Sequence, residues 1–194
     1  MITSNFSVVL SRGFSAAIQF VIVLFYGANL SVTGFGELSI LMIIIGISYG
    51  IIDFGTANSI LTTTIKKNVS SALQLLNFFI AVCLGIALFL VSVYGKTFFD
   101  FSNGFFQALS MVPAVFIIFS ITIVPYSRLH KAQRLKNLAL VDFVPVFSML
   151  ITVPLFLYLE FGLSTLIFSM GVQVSLRFLM LRYFYGRLIR FKLN

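Results

Sequence analysis

The chain has 194 residues, of which 60% are hydrophobic and 9% charged, and it carries a formal net charge of +8. So few charges, against roughly 25% in an average soluble domain, exclude an ordinary water-soluble fold, and the basic excess points to anionic lipid headgroups rather than to nucleic acid. A single cysteine, Cys83, excludes an internal disulfide; lying in an apolar run, it is expected to pack as a small hydrophobe.

Six apolar stretches follow one another at 6–30, 36–64, 70–94, 105–127, 137–159 and 163–185. Each reaches the ~20 residues that cross ~30 Å of hydrocarbon. The predicted fold class is all-α: a polytopic bundle of six transmembrane helices filling residues 1–194, with no soluble domain. Residues 1–11 lack a basic leader and the first run is too long for a signal-peptide core, so it reads as an uncleaved first span. In that span Arg12, Ser15, Gln19 and Tyr26 recur at helical spacing and share one face.

Turn-forming residues at 27–36, GANLSVTGFG, separate the first two spans. The second span presents Gly46, Gly50, Asp53 and Ala57 along one face, a pattern that in lipid usually marks helix–helix contact. Two readings of its end stay open. Asp53 lies about 13 residues, or roughly 20 Å of helix, before Lys66, which places it near the bilayer middle. In the shorter reading the helix stops at Gly55 and TANSILTTTIKK runs along the interface.

The third span stacks Gln74, Asn77, Ala81 and Gly85. KTFFDFSNG at 96–104 turns the chain into the fourth span, which is followed by the basic connection RLHKAQRLKN, suited to a short interfacial helix. Pro113, Pro125, Pro145 and Pro154 fall in or at the ends of spans four and five, where proline removes a backbone bond and can act as a hinge, though membrane helices tolerate it. The fifth span aligns Asp142, Pro145, Met149 and Thr152; the sixth stacks Ser169, Gln173 and Arg177 at i, i+4 and i+8. Six tyrosines, Tyr126 among them, lie near span ends, where an amphipathic ring favours the headgroup region.

Loop charges set the orientation. Lys66 and Lys67 fall in the second connection, Arg128, Lys131, Arg134 and Lys136 around the fourth, and Arg182, Arg187, Arg190 and Lys192 at the tail, whereas the odd connections hold Lys96 beside Glu37, Asp100 and Glu160. The positive-inside rule then places both termini and the even loops in the cytoplasm, with the three acidic residues as solvated caps outside.

Charged groups within a span cost about 2.5–3.5 kcal/mol or more on insertion scales and so face an interior or an aqueous cavity. Arg12, Asp53, Asp142 and Arg177 all fall in the cytoplasmic half or near the midplane. With Gln19 and Gln173 they are the candidate substrate-binding residues of a polar cavity, whose arginines attract an anionic group while Asp53 or Asp142 titrates or changes partner. The competing readings are a structural ion pair, or arginines that snorkel to the headgroups. No arrangement for catalysis, metal or cofactor is expected: His130 is the single histidine, and HExxH, GxSxG, P-loop and CxxC motifs are absent. The expectation is a protein that is not an enzyme and uses no cofactor.

The stretch LSVTGFG at 30–36, followed by ELSILMIIIGISYGIIDFGTANSI, resembles the opening of lipid-linked oligosaccharide flippases of the Wzx (O-antigen) type, within the multidrug/oligosaccharidyl-lipid/polysaccharide exporter superfamily. Phe35-Gly36 and Asp53-Phe54-Gly55 match, Ser31 stands where the family commonly has glycine, and Thr62, Thr63 and Thr64 stand where an arginine often follows. RLHKAQRLKNLALVDF, EFGLSTLIF and the early Arg12 are also similar. The resemblance implies one six-helix lobe of a two-lobe exporter-type fold in a bacterial cytoplasmic (inner) membrane. It further implies translocation of a polyprenyl-pyrophosphate-linked oligosaccharide for O-antigen-like polysaccharide or lipopolysaccharide biosynthesis. The implied partners are that lipid-linked substrate, membrane lipids, and a second six-helix lobe or a second copy. Two other classes remain open: a substrate-capturing subunit of a multi-component importer, and a non-transporting structural membrane subunit.

Overall fold

The computed structural model describes residues 2–62 and 67–185, with side chains described for Ser11, for 13–62 and for 68–184. Among these residues there is no strand. The helices are α1 (Ile2–Asn29), α2 (Val32–Asp53), α3 (Thr56–Thr62), α4 (Lys67–Tyr94), α5 (Asn103–Lys131), α6 (Leu135–Tyr158) and α7 (Ser164–Tyr185), with one 3-10 turn at Gly95–Thr97. By length and composition five of them, α2 and α4 to α7, can cross a membrane; the described apolar part of α1, Gly13–Asn29, is shorter. Large apolar side chains face outward over these helices, among them Phe20, Ile43, Phe79, Ile151 and Leu179. So much exposed apolar surface is tolerated on a lipid-facing exterior and not in water. The chain is a helical bundle of membrane type.

Tight turns with few residues between helices force neighbours to run antiparallel. Ser31 caps α2 by accepting from the Gly34 N–H at 3.2 Å, and Ser102 caps α5 by accepting from the Phe105 N–H at 3.2 Å. These hydroxyls satisfy amide groups that the first helical turn leaves open. One of the expected caps also makes a contact between helices. Glu37, on the first turns of α2, accepts from the Ser102 N–H at 2.6 Å and from the Ser102 hydroxyl at 2.5 Å. It ties the start of α2 to the start of α5, because Ser102 offers two donors that point the same way.

The second apolar run, expected over 36–64, is broken. Phe54 and Gly55 both adopt left-handed backbone, with φ of 41° and 73°. α2 therefore ends at Asp53, whose Oδ1 accepts from the Ala57 N–H at 2.9 Å and satisfies an open amide of α3. Glycine makes that reversal accessible, and an aspartate two residues upstream stabilises the restart. The break agrees with the shorter reading of this span, while residues 63–66 of TANSILTTTIKK lie outside the described residues. The fourth connection also differs from expectation: no separate interfacial helix forms there. α5 continues through His130 to Lys131 and a turn with Gln133 at φ 52° hands directly to α6 at Leu135. The basic residues extend the two long helices, which leaves too few for a third. Prolines 113, 125, 145 and 154 all lie inside continuous helices.

α5 is the centre of the bundle. Of its most apolar 18-residue window 56% is buried, against 22% in α4, and it packs against α4, α7, α3 and α2. α1 packs on α6, and α6 on α7. Phe116, Leu109 and Val112 of α5 meet Leu38, Leu41 and Ile45 of α2 in a continuous buried core. Tyr49 of α2 stacks on Phe119 with ring centroids 4.0 Å apart.

The polar and small stripe of α4 is a packing seam. A Cβ built on Gly85 would lie 3.0 Å from Cβ and 3.3 Å from Cα of Pro113, so α4 and α5 touch backbone to backbone there. Asn77 accepts from the Thr56 hydroxyl at 2.9 Å, and Gln74 donates to the Ser120 carbonyl at 2.9 Å. Because Ala81 and Gly85 occupy the inner face, Cys83, two residues from each, is turned outward and exposed, contrary to the expectation that it packs inside. On α2 the expected contact of Gly46 and Gly50 is not made within the chain: both are exposed, and a Cβ on either meets nothing within 4 Å.

Candidate functional site

Arg177 sits on α7 two turns after Ser169 and one after Gln173, so helical spacing alone carries the three side chains onto one face. That face meets α6 at Asp142. Arg177 Nη2 lies 3.6 Å from Asp142 Oδ1, and the two side chains are 26% and 17% exposed. The partial exposure opens into a pocket of about 330 Å³ between α1, α6 and α7, whose polar lining comes from Ser15, Gln19, Asp142, Gln173 and Arg177, with Pro145 at its wall. Four of the six residues expected from sequence, Gln19, Asp142, Gln173 and Arg177, are thus brought together.

The other two are not placed there. Asp53 stands at the α2–α3 break, where it caps α3, and it does not line this pocket. Arg12 lies on α1, but its side chain is outside the described residues. Lys66 and the basic tail beyond Tyr185 are outside them as well.

Two tyrosines complete the polar centre. Tyr126, near the end of α5, donates its hydroxyl hydrogen to Asp142 Oδ2 at 3.0 Å. Its ring lies beneath the guanidinium, with Arg177 Cζ 4.2 Å from the centroid, the geometry in which a cation is attracted to an aromatic face. The sequence expects Tyr126 near a span end; the structure adds that it engages Asp142 and Arg177. A signal for this was available, because in an antiparallel hairpin turning at Arg134, residues 126 and 142 are equidistant from the turn and come level. The Tyr49 phenol of α2 lies within electrostatic range of Arg177.

Several polar atoms lack a partner among the described residues. Arg177 Nε, the Ser15, Thr152 and Thr165 hydroxyls, the Tyr49 phenol and Asn77 Nδ2 are buried without a hydrogen bond. An unpaired polar atom in an apolar surrounding costs several kcal/mol. Two of these atoms, on Ser15 and Arg177, belong to residues that line the pocket, so a polar ligand there has unmet groups to satisfy.

Two of the basic residues near the α5–α6 turn have structural partners. Arg128 donates to the Ser70 hydroxyl, and Lys131 donates to the Ile60 carbonyl at 2.8 Å, holding α3 against the end of α5. No grouping of histidine, cysteine or acidic side chains fit to hold a metal occurs among the described residues.

Comparison with protein families, curated proteins and solved structures returned no match to this chain.

Proposed function

We propose that this chain is one six-helix lobe of a lipid-linked oligosaccharide flippase of the Wzx type, acting in a bacterial inner membrane with both termini in the cytoplasm. Its cargo is a polyprenyl-pyrophosphate-linked oligosaccharide, and the substrate class comes from the resemblance at Phe35-Gly36, Asp53-Phe54-Gly55 and the basic fourth connection. The observation that carries the reading is Arg177: a half-buried guanidinium with an unpartnered Nε, opening into a pocket lined by Gln19 and Gln173. A pyrophosphate passing through hydrocarbon needs a cation below the headgroup surface, and arginine offers a fork of donors matched to phosphate oxygens. In this reading Asp142 is the resident counter-ion of Arg177, and the pyrophosphate takes its place. A pocket of about 330 Å³ suits the anionic headgroup and not the sugar chain, which extends into a cleft completed by a second lobe or a second copy.

Translocation of a defined polyprenyl-pyrophosphate-linked sugar in proteoliposomes, or rescue of surface polysaccharide in a flippase-deficient strain, tests this directly. Arg177→Ala should stop translocation while the protein level holds, and wild-type rates from that variant would remove the reading. Cysteine labelling settles the topology separately: Gln133 should be reached from the cytoplasm, and Ser31, Asn103 and Gly162 from outside.

A further inference from the structure

We propose that the apolar cavity between α4, α5 and α7 binds one anionic phospholipid, its acyl chains along the cavity and its phosphate at Arg182. The site lies on the face of α7 opposite Gln173 and Arg177, and it does not depend on what the chain transports. The cavity holds about 960 Å³, toward the upper end of the roughly 300–1,000 Å³ of ligand sites. Gly85, Ala114 and Gly171 leave the space, one from each helix, while Ile86, Phe89 and Leu179 line it with about half their surface exposed, so it opens outward. Its hydroxyls belong to Ser110 and Ser175, and Ser110 donates to the Gln107 carbonyl of its own helix at 2.7 Å. Such a lining gives a polar ligand little to bond with, so in a bilayer hydrocarbon fills it.

Dimensions separate a lipid chain from a protein segment. On α7 the lining runs from Ile167 to Leu179, about 18 Å of helix at 1.5 Å per residue. That is close to the roughly 15 Å that one leaflet contributes to a ~30 Å hydrocarbon core. Spread over this length, the volume corresponds to a cross-section of roughly 50 Å², about 8 Å wide, below the 10–12 Å diameter of a helix with its side chains. The cavity is therefore too narrow to seat a further span and long enough for the chains of one lipid.

Charge selects which lipid. Phe168, Val172, Ser175, Leu179 and Arg182 follow one another at spacings of four and three, so Arg182 continues the face that lines the cavity, one turn beyond its end. Arg182 is exposed, and the ion pair seen among the described residues, Arg177 with Asp142, leaves it out. Tyr183 beside it is exposed as well, an amphipathic ring of the kind that settles at headgroup level. An apolar cavity thus ends at a cation placed where a lipid phosphate lies.

Native mass spectrometry of the purified full chain in an uncharged maltoside detergent, titrated with phosphatidylglycerol or phosphatidylcholine of matched chains, tests this. Wild type should retain one phosphatidylglycerol and hold phosphatidylcholine about fivefold more weakly, the difference that one basic group makes toward an anionic headgroup. Arg182→Ala should remove that preference, bringing phosphatidylglycerol down to the level of phosphatidylcholine. Ala114→Phe fills the cavity from an exposed position, so it should melt near wild type and lose both lipids. Gly171→Leu, where a Cβ meets only Val115 Cγ2 at 4.0 Å, should do the same. Arg177→Ala, on the other face of α7, should retain phosphatidylglycerol as wild type does. A wild type without preference, a preference that survives Arg182→Ala, or an equal loss from Arg177→Ala overturns the phosphate assignment and the proposal with it. Undiminished binding in Ala114→Phe and Gly171→Leu overturns it from the side of the chains. Polyprenyl phosphate retained over phosphatidylglycerol would make the cavity a seat for a prenyl chain. Oxidative cross-linking of two chains through Cys83, exposed beside Val82 of the lining, would put a second copy there. Either result overturns the phospholipid site.

Discussion

The α4–α5 seam and the α1–α6–α7 pocket are built from the same kinds of residue and do opposite things. Each begins as a stripe of small and polar side chains on one face of an apolar helix: Gln74, Asn77, Ala81 and Gly85 on α4, and Ser169, Gln173 and Arg177 on α7. Along α4 the stripe packs against α5, with Ala81 and Gly85 also bordering an apolar cavity of about 960 Å³ shared with α7. Gly85 lets Pro113 approach within contact, Ala81 and Asn77 are fully buried, and Gln74 and Asn77 each find a partner on a neighbouring helix. Along α7 the stripe stays partly open, Arg177 keeps a quarter of its surface and Nε has no partner. The difference lies in the facing helix. α5 presents backbone and a carbonyl to α4, whereas α6 presents a carboxylate held by a third residue. A polar stripe in a membrane helix thus closes into packing or stays open to a pocket according to what the facing helix presents to it.

The largest effect should come from filling the seam. Gly85→Leu puts side-chain atoms where Pro113 Cβ already stands 3.0 Å from a modest Cβ, and overpacking of this kind costs roughly 3 kcal/mol. The variant should melt far below wild type in detergent or fail to accumulate. Gly46→Leu, on an exposed face with nothing within 4 Å, should melt within about 0.5 kcal/mol of wild type. Equal losses from both glycines would mean that the seam is no more closely packed than the exposed face of α2.

Next in size is Asn77→Leu. It removes the acceptor of the buried Thr56 hydroxyl and should destabilise the chain by about 2 kcal/mol, read as a lower melting temperature. Pyrophosphate binding should be untouched, because the seam does not line the pocket. A change in binding at unchanged stability would break the division between the two regions.

A smaller loss is expected at the bridge between the starts of α2 and α5. Glu37→Gln keeps one acceptor oxygen for Ser102 but loses the charge and the second acceptor, which should cost about 1 kcal/mol. Hydrogen exchange should then rise in the first turns of α2 and α5 together. Exchange that rises in α2 alone would show that the bridge does not couple the two helix starts.

The lengths and positions of the long helices could be read from apolar runs, because in lipid every backbone group must be satisfied within its own segment and a span therefore needs an uninterrupted stretch. The break after Asp53 was half readable: Gly55 signals a permitted reversal, but Phe54 in left-handed backbone at φ 41° has no sequence signature, since a bulky residue rarely adopts it. In the site, Gln173 and Arg177 could be read from helical spacing and Asp142 from the cost of a charge in a span. Tyr126 could not be found by its helix alone. Its hydroxyl acts across a turn, on a residue 16 positions later, and only the hairpin register relates the two. Glu37 escaped for the same reason, its partner Ser102 lying 65 positions away. What a single helix encodes about itself was accessible; which neighbour satisfies a polar group depended on packing.

The smallest change in stability should come from the pocket, and its sign is the sharpest test of the contrast. Gln173 is half-buried, lines the pocket beside Arg177, and no protein hydrogen bond to it is seen among the described residues. Gln173→Leu keeps most of the volume and exchanges a polar amide for an apolar side chain in an apolar helix. Melting should therefore hold within about 0.5 kcal/mol of wild type or rise, as happens when a site group kept for function is replaced by one that suits the fold. Pyrophosphate binding and translocation should fall, since an amide facing Arg177 is lost from the oxyanion's surroundings. Asn77→Leu is the mirror substitution, destabilising with binding retained. If Gln173→Leu instead destabilised as much as Asn77→Leu and left binding intact, the α7 stripe would be a second seam, and the pocket between α1, α6 and α7 a packing defect with no cargo to receive.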